Sequence, residues 1–181
     1  MPIVMVTGGA RSGKSGYAEE RCEQLGERVT YIACAKITDG DMANRVEMHR
    51  ARRPSHWTTI EQYRDFAGIA QRDDRVYLLD CVTTMITNLM FDAALDYVTC
   101  GSDEIAQVEA RIQGEIDTLL SAFADTDKTL VIVTNEVGQG IVPAYRLGSI
   151  FRDIAGRMNQ YIAARANEVI CMISGLPLRL K

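Results

Sequence analysis

The chain has 181 residues, with 24 acidic against 20 basic side chains and a formal net charge of −4, giving a pI near 5.2. That length suits one domain, spanning 1–181, that can bury a core without disulfides or a structural metal. The acidic balance argues against a general nucleic-acid binder, and five scattered cysteines without C-x-x-C spacing argue against a disulfide framework or a zinc site.

In chain order, Ile3 to Val6 is a short apolar run suited to a buried strand. It leads into Gly8-Gly9-Ala10-Arg11-Ser12-Gly13-Lys14-Ser15, which fits the phosphate-cradling pattern G-x-x-x-x-G-K-[ST] between a strand and a helix. Glycines let the backbone N–H groups turn onto phosphate oxygens, and the helix N-terminus adds partial positive charge. Lys14 can reach the β/γ-phosphates and Ser15 can ligate Mg²⁺, so a nucleoside triphosphate is the implied ligand. The helix continues from Gly16 to Leu25, where Gly26 can stop it.

Val29–Ala33, Val76–Asp80, Leu130–Thr134 and Val169–Ile173 are further β-branched apolar runs. Helical patterns separate them, which predicts an α/β fold with a parallel sheet. One helix runs from about Asp103 to Phe123, with Ile105, Val108, Ile112, Ile116, Leu119 and Phe123 on one face. Another spans Tyr145 to Arg165, with Leu147, Ile150, Phe151, Ile154, Met158, Tyr161 and Ile162 on its apolar side. No repeat, low-complexity tract or linker divides the chain. The first apolar run is too short for a signal-peptide core, and no stretch approaches the ~20 apolar residues of a membrane span. Reduced thiols and a cytoplasmic location are expected.

Asp80 closes an apolar strand where phosphate-loop enzymes place a carboxylate toward Mg²⁺ and the nucleotide. Asp is also a favoured N-cap, so capping the following helix is the alternative. The segment from Asp41 to Pro54 reads as a helix with Asp41 as cap and Pro54 as stop. On it Arg45, Arg52 and Arg53 stand three or four residues from His49, so their guanidinium groups flank the imidazole. Like-charge repulsion then keeps a nitrogen lone pair free to attack phosphorus, while the cations bind phosphates. The competing reading is a surface His on a basic helix. His56, next to Trp57, has no such surroundings and reads as structural.

These pieces, over nearly the whole chain, resemble the bifunctional adenosylcobinamide kinase/adenosylcobinamide-phosphate guanylyltransferases of cobalamin biosynthesis. The likeness rests on Val6 to Ser15, Tyr31-Ile32-Ala33, His49 with Arg53-Pro54 and Trp57, and Leu79 to Thr83, together with Thr134 to Pro143 and Phe151 to Gln160. It implies a RecA-like fold, a mainly parallel sheet with helices on both faces, and assembly as a homotrimer. It also implies two reactions. ATP or GTP phosphorylates the adenosylcobinamide hydroxyl, and GMP from GTP is then transferred to that phosphate through a guanylylated histidine, giving adenosylcobinamide-GDP. His49 matches the nucleophile, with Lys14 as the other catalytic group. Nucleotide contacts carry over to Gly8, Gly9, Ala10, Arg11, Ser12, Gly13, Lys14 and Ser15, to Ala33, Cys34 and Ala35, to Arg50, Ala51, Arg52 and Arg53, and to Glu61 and Asp80. Asp80 then holds guanosine instead of, or as well as, the Mg²⁺ shared with Ser15. Met48 stands where some relatives carry a second His, and Cys34-Ala35-Lys36 replaces more hydroxylic residues. Two rival readings are a GTP switch and a monofunctional phosphate-loop kinase of small molecules. Thr134 to Val137 is superficially like the guanine motif N-K-x-D but lacks its Lys and Asp. Everything but His49 would serve the kinase equally well.

Overall fold

A computed structural model describes residues 3–36 and 54–181. Seven strands form one sheet in the order β3-β2-β4-β5-β1-β6-β7. They are β1 (Ile3–Gly8), β2 (Val29–Ala33), β3 (Thr58–Glu61), β4 (Val76–Asp80), β5 (Thr129–Val133), β6 (Glu168–Ile173) and β7 (Leu176–Arg179). All neighbours pair parallel except β6 with β7, which are antiparallel. Among the described residues the connections hold four α-helices, α1 (Lys14–Leu25), α2 (Val82–Asp92), α3 (Ser102–Phe123) and α4 (Arg146–Arg165), and one short 3-10 turn at Ile69–Gln71.

The central strands are apolar on consecutive residues because both of their faces are covered. Ile3, Met5, Ile32, Tyr77, Leu79, Leu130 and Ile132 pack with residues of α2, α3 and α4. Their alternates Val4, Val6, Tyr31, Leu78, Val131 and Val133 pack with Ala18 and Cys22 of α1. Each aliphatic side chain removed from water in this way contributes about 1.5–3 kcal/mol before entropy is charged against it. Ile112, Ile116, Leu119 and Phe123, expected on one face of α3, are all in the core. So are Ile154, Met158 and Ile162 of α4, whereas Leu147, Ile150 and Phe151 lie half-buried at its start.

Chain ends of these elements depart from expectation in small ways. Gly26 does end α1, its N–H donating to Cys22 O at 3.1 Å, but with φ 174° it is extended and no left-handed cap forms. Tyr145 is the cap before α4, which begins at Arg146. β3 and β7 lie at the sheet's two edges, outside the strands expected from apolar runs. β7 is wholly exposed and β3 nearly so. The expected Asp41–Pro54 helix lies outside the described residues up to position 53, and with it His49, Arg50, Ala51, Arg52 and Arg53.

Candidate active site

The register of the sheet brings the expected residues into a row at its carboxyl edge. Glu61 pairs with Ala33, Ala33 with Asp80, Asp80 with Val133 and Val133 with Val6. Two residues past Val6 the chain leaves β1 at Gly8 and enters the glycine-rich loop. Gly8 has φ 150°, and a Cβ there would come within 2.6 Å of Met172 O and Ser12 Oγ. Gly13, the cap of α1, has φ 92°. Arg11 takes a left-handed backbone without being glycine, φ 59°, at a cost of about 1–2 kcal/mol that recurs where loops wrap ligands.

The loop is braced from a direction that local sequence does not reveal. Ser174 and Gly175, both with positive φ, turn the chain from β6 into β7. The Gly175 N–H then donates to Ser12 O at 3.0 Å. Inside the loop Lys14 is buried, and its Nζ donates to Gly9 O at 3.1 Å. Burial pulls its ammonium below the ordinary lysine range, while Cys81 and Asp80 act in the opposite direction. Ser12 Oγ is buried without a hydrogen-bond partner among the described residues, the kind of donor that a phosphate oxygen satisfies.

Asp80 is not the helix cap. Cys81 is the residue capping α2, its Sγ 3.1 Å from the hydroxyls of both Thr83 and Thr84. The Asp80 carboxylate instead accepts the Tyr31 hydroxyl at 3.0 Å. Burial, and then Asp80, push the Cys81 thiol up, and burial does the same to Cys34, so neither thiol is a ready nucleophile. Ala33 and Cys34 are placed by main-chain bonds: Cys34 N–H to Asp80 O at 3.2 Å and Gln62 N–H to Ala33 O at 3.0 Å. The Asn88 amide donates to Cys34 O at 2.7 Å. Glu61 ends β3 and is exposed; His56 is exposed too.

One polar group at this edge carried no assigned role. Glu136, three residues past β5, donates its N–H to Gly8 O at 3.0 Å. Its Oε1 accepts the Thr7 hydroxyl at 2.7 Å and the Asn159 amide at 3.2 Å. Asn159 is held in turn by Thr134, whose hydroxyl donates to Oδ1 at 2.7 Å. Thr7 and Glu136 stand 129 positions apart, so no local pattern announces the pair.

Oxygen donors of this kind suit a hard cation. Among the described residues no group of three or more His, Cys, Asp and Glu could hold a metal. Mg²⁺ asks for less: one or two protein oxygens beside nucleotide phosphates and water, which the Ser15 hydroxyl and the Asp80 carboxylate can supply.

A glycine-rich loop opening a helix at the carboxyl edge of a mainly parallel sheet, with a buried lysine inside it, defines a phosphate-loop nucleotide-binding protein of the α/β class. Residues 4–180 match the family described as cobinamide kinase / cobinamide phosphate guanyltransferase. The chain belongs to that family. It is 46% identical over 182 residues to the bifunctional adenosylcobalamin biosynthesis protein CobU of Escherichia coli (strain K12), covering 99% of each chain. It is 43% identical to CobU of Salmonella typhimurium, again over 99% of each. With CobP of Pseudomonas aeruginosa it shares 37% identity over 98% of this chain and 96% of the relative. Among solved structures it is similar in fold to a prototypical ATPase from the type III secretion system of pathogenic bacteria. That likeness has a TM-score of 0.54 at 11% identity and covers 98% of this chain and 56% of the other.

Proposed function

We propose that this bifunctional kinase and guanylyltransferase of cobalamin biosynthesis runs both reactions from one nucleotide site at the carboxyl edge of the sheet. The observation that carries the reading is the loop Gly8 to Ser15, with Lys14 buried in it and Ser12 Oγ without a hydrogen-bond partner among the described residues. In the kinase reaction ATP or GTP lies along the loop N–H groups and Lys14 neutralises charge on the transferring γ-phosphoryl, where stabilisation counts most. Ser15 and Asp80 hold Mg²⁺, which supplies Lewis-acid charge neutralisation when bound. The acceptor is the hydroxyl of adenosylcobinamide.

In the second reaction His49 attacks the α-phosphorus of GTP, pyrophosphate leaves, and the guanylylated histidine passes GMP to adenosylcobinamide phosphate. Arg50, Arg52 and Arg53 neutralise the phosphates there, with Ala51 among them. Ala33, Cys34, Ala35 and Glu61 border the nucleoside. The row that links Glu61, Ala33 and Asp80 supports this placement.

The fold supports a RecA-like classification through its mainly parallel sheet with helices on both faces, and 1–181 acts as one unit. Among the described residues no helix is long and apolar enough to cross a membrane, and all five cysteines are free; we infer a cytoplasmic location. Exposed Ile173, Leu176, Leu178 and Leu180 at the β6–β7 edge support self-association, which we read as the homotrimer. Sedimentation of the purified chain checks that state.

The function itself is tested by incubating the protein with α-labelled GTP and Mg²⁺, and separately with adenosylcobinamide and γ-labelled ATP. An acid-labile, alkali-stable GMP adduct and a phosphorylated corrinoid are the expected products. Phosphorylated corrinoid without any adduct would reduce the reading to a kinase alone.

A further inference from the structure

We propose that Glu136 is the proton acceptor of the kinase reaction, taking the hydrogen of the corrinoid hydroxyl as its oxygen attacks the γ-phosphorus. This rests on the functional reading above. The geometry prepares a single carboxylate oxygen for the task. Oε1 is fixed by Thr7 at 2.7 Å and by Asn159 at 3.2 Å, both of them buried. The Asn159 amide cannot turn over without losing its bonds to Asn135 O at 3.0 Å and from Thr134 at 2.7 Å. Side chains from β1 and α4, together with the end of β5, therefore hold one half of the carboxylate. Oε2 accepts no hydrogen bond among the described residues, and the residue is only partly buried.

Its place is as telling as its hold. The Glu136 N–H is bonded to Gly8 O, and Lys14 Nζ to Gly9 O. The Glu136 backbone and the Lys14 ammonium thus hold the carbonyls of the first two glycines of the phosphate loop, and the carboxylate is fixed on Thr7, the residue before Gly8. An acceptor hydroxyl attacking a γ-phosphoryl held by that loop needs a base at its mouth, and phosphoryl transfer places that demand on a positioned carboxylate. Atoms balance without another reactant: the hydroxyl proton goes to Oε2 and the new bond joins the alcohol oxygen to the γ-phosphorus. The bond from that phosphorus to the β,γ-bridging oxygen breaks, and the nucleoside diphosphate leaves with its electron pair. The guanylyl reaction makes no such demand. A neutral imidazole and an ionised phosphate already carry free electron pairs, so the two reactions should respond differently to loss of the base.

Glu136→Gln keeps an oxygen to accept from Thr7 and Asn159 and removes only the basic atom. Purified variant and wild type are compared in two assays, phosphorylation of adenosylcobinamide by ATP, and covalent labelling by α-labelled GTP followed by transfer to adenosylcobinamide phosphate. We expect kcat for phosphorylation to fall about 10²-fold or more, with the KM for ATP and both guanylyl half-reactions within about threefold of wild type. Labelling doubles as the control for folding and nucleotide binding. Phosphorylation within about threefold of wild type would overturn the proposal. Equal loss of both reactions would overturn it as well, because Glu136 would then serve the loop or the metal. Wild-type protein inactive in both assays would remove the functional reading and this inference with it.

Discussion

The β1–β5 end of the sheet's carboxyl edge and its β2–β3 end hold their functional groups in different ways. At the first, Thr7, Thr134, Glu136 and Asn159 form a side-chain network whose members come from β1, the end of β5 and α4. At the second, Ala33 and Cys34 are fixed by main-chain bonds and by Asn88, and Glu61 stands exposed. Buried polar networks lose heavily when one member is changed, whereas backbone placement tolerates many side chains. The proposed handling of the γ-phosphoryl is accordingly written into side-chain identity, and the proposed nucleoside border into backbone shape. Departures such as Cys34-Ala35-Lys36 fall at the tolerant end.

The comparison breaks most visibly at His49, which lies outside the described residues. His49→Ala should abolish covalent GMP and guanylyl transfer while leaving phosphorylation measurable, because the kinase reaction uses no imidazole. An adduct formed by His49→Ala protein would move the nucleophile elsewhere, with exposed His56 next in line. Next in size, Lys14→Ala should reduce phosphorylation about 10²–10³-fold, since a buried cation is removed from the developing charge. Thermal unfolding should stay near that of wild type, because burial already disfavours the Lys14 ammonium. Guanylyl transfer measured on the same sample then tells whether one nucleotide site serves both reactions: a parallel loss is expected, and near-normal transfer would split the site in two.

Legibility in the sequence follows the same division. The phosphate loop was readable because eight contiguous residues carry its chemistry, and the central strands because burial on both faces leaves unbroken apolar runs such as Leu130 to Val133. β3 escaped notice because Thr58–Glu61 carries one half-buried apolar residue, Ile60, on an edge. β7 escaped because Leu176–Arg179 is exposed and contains Pro177, a residue that sheets confine chiefly to edge strands. Ser174-Gly175 was the available signal, a two-residue hairpin turn. The Glu136 network had no signal at all at short range. Thr134 to Val137 could be quoted as part of a family likeness, but only the fold shows that its glutamate meets Thr7 and Asn159.

Tyr31→Phe sharpens the boundary between the two ends, for Tyr31 belongs to β2 and its hydroxyl is bonded to Asp80 of β4. The ring stays in the core and only the hydroxyl is lost, so destabilisation should be about 1 kcal/mol. Freed of that bond, the Asp80 carboxylate loses its orientation. If Asp80 serves Mg²⁺, both reactions should slow together, by roughly threefold to tenfold as one oriented hydrogen bond is worth, and excess Mg²⁺ should restore part of the loss. A change confined to guanylyl transfer would assign Asp80 to guanosine instead.

The smallest effect is expected where the chain leaves the β2 end. Lys36, the last described residue before position 54, bonds Asp92 at 2.8 Å and lies 4.5 Å from the Tyr63 ring centroid. Asp92 at the end of α2 also accepts the Tyr63 hydroxyl at 2.8 Å and Arg64 at 3.2 Å. Lys36, chiefly, with further help from Tyr63 and Arg64, holds the Asp92 carboxyl below the usual carboxylate range. A depressed carboxylate stabilises the fold above its unfolded-state pKa, and that contribution disappears as the pH falls through the folded value. Asp92→Asn should therefore lower stability at neutral pH by about 1 kcal/mol or less, discounted because the partners are largely solvated. For a chain of this length that is a shift in Tm of about 2–4 °C at most. Measured from pH 7 downward, the gap between wild type and variant should narrow below about pH 4 and close once Asp92 is protonated in both states. A gap that persists there would mean that Asp92 acts through packing at the end of α2. A fall in guanylyl transfer much larger than the loss of stability would mean that this cluster positions the chain leading to His49 as well as bracing the fold.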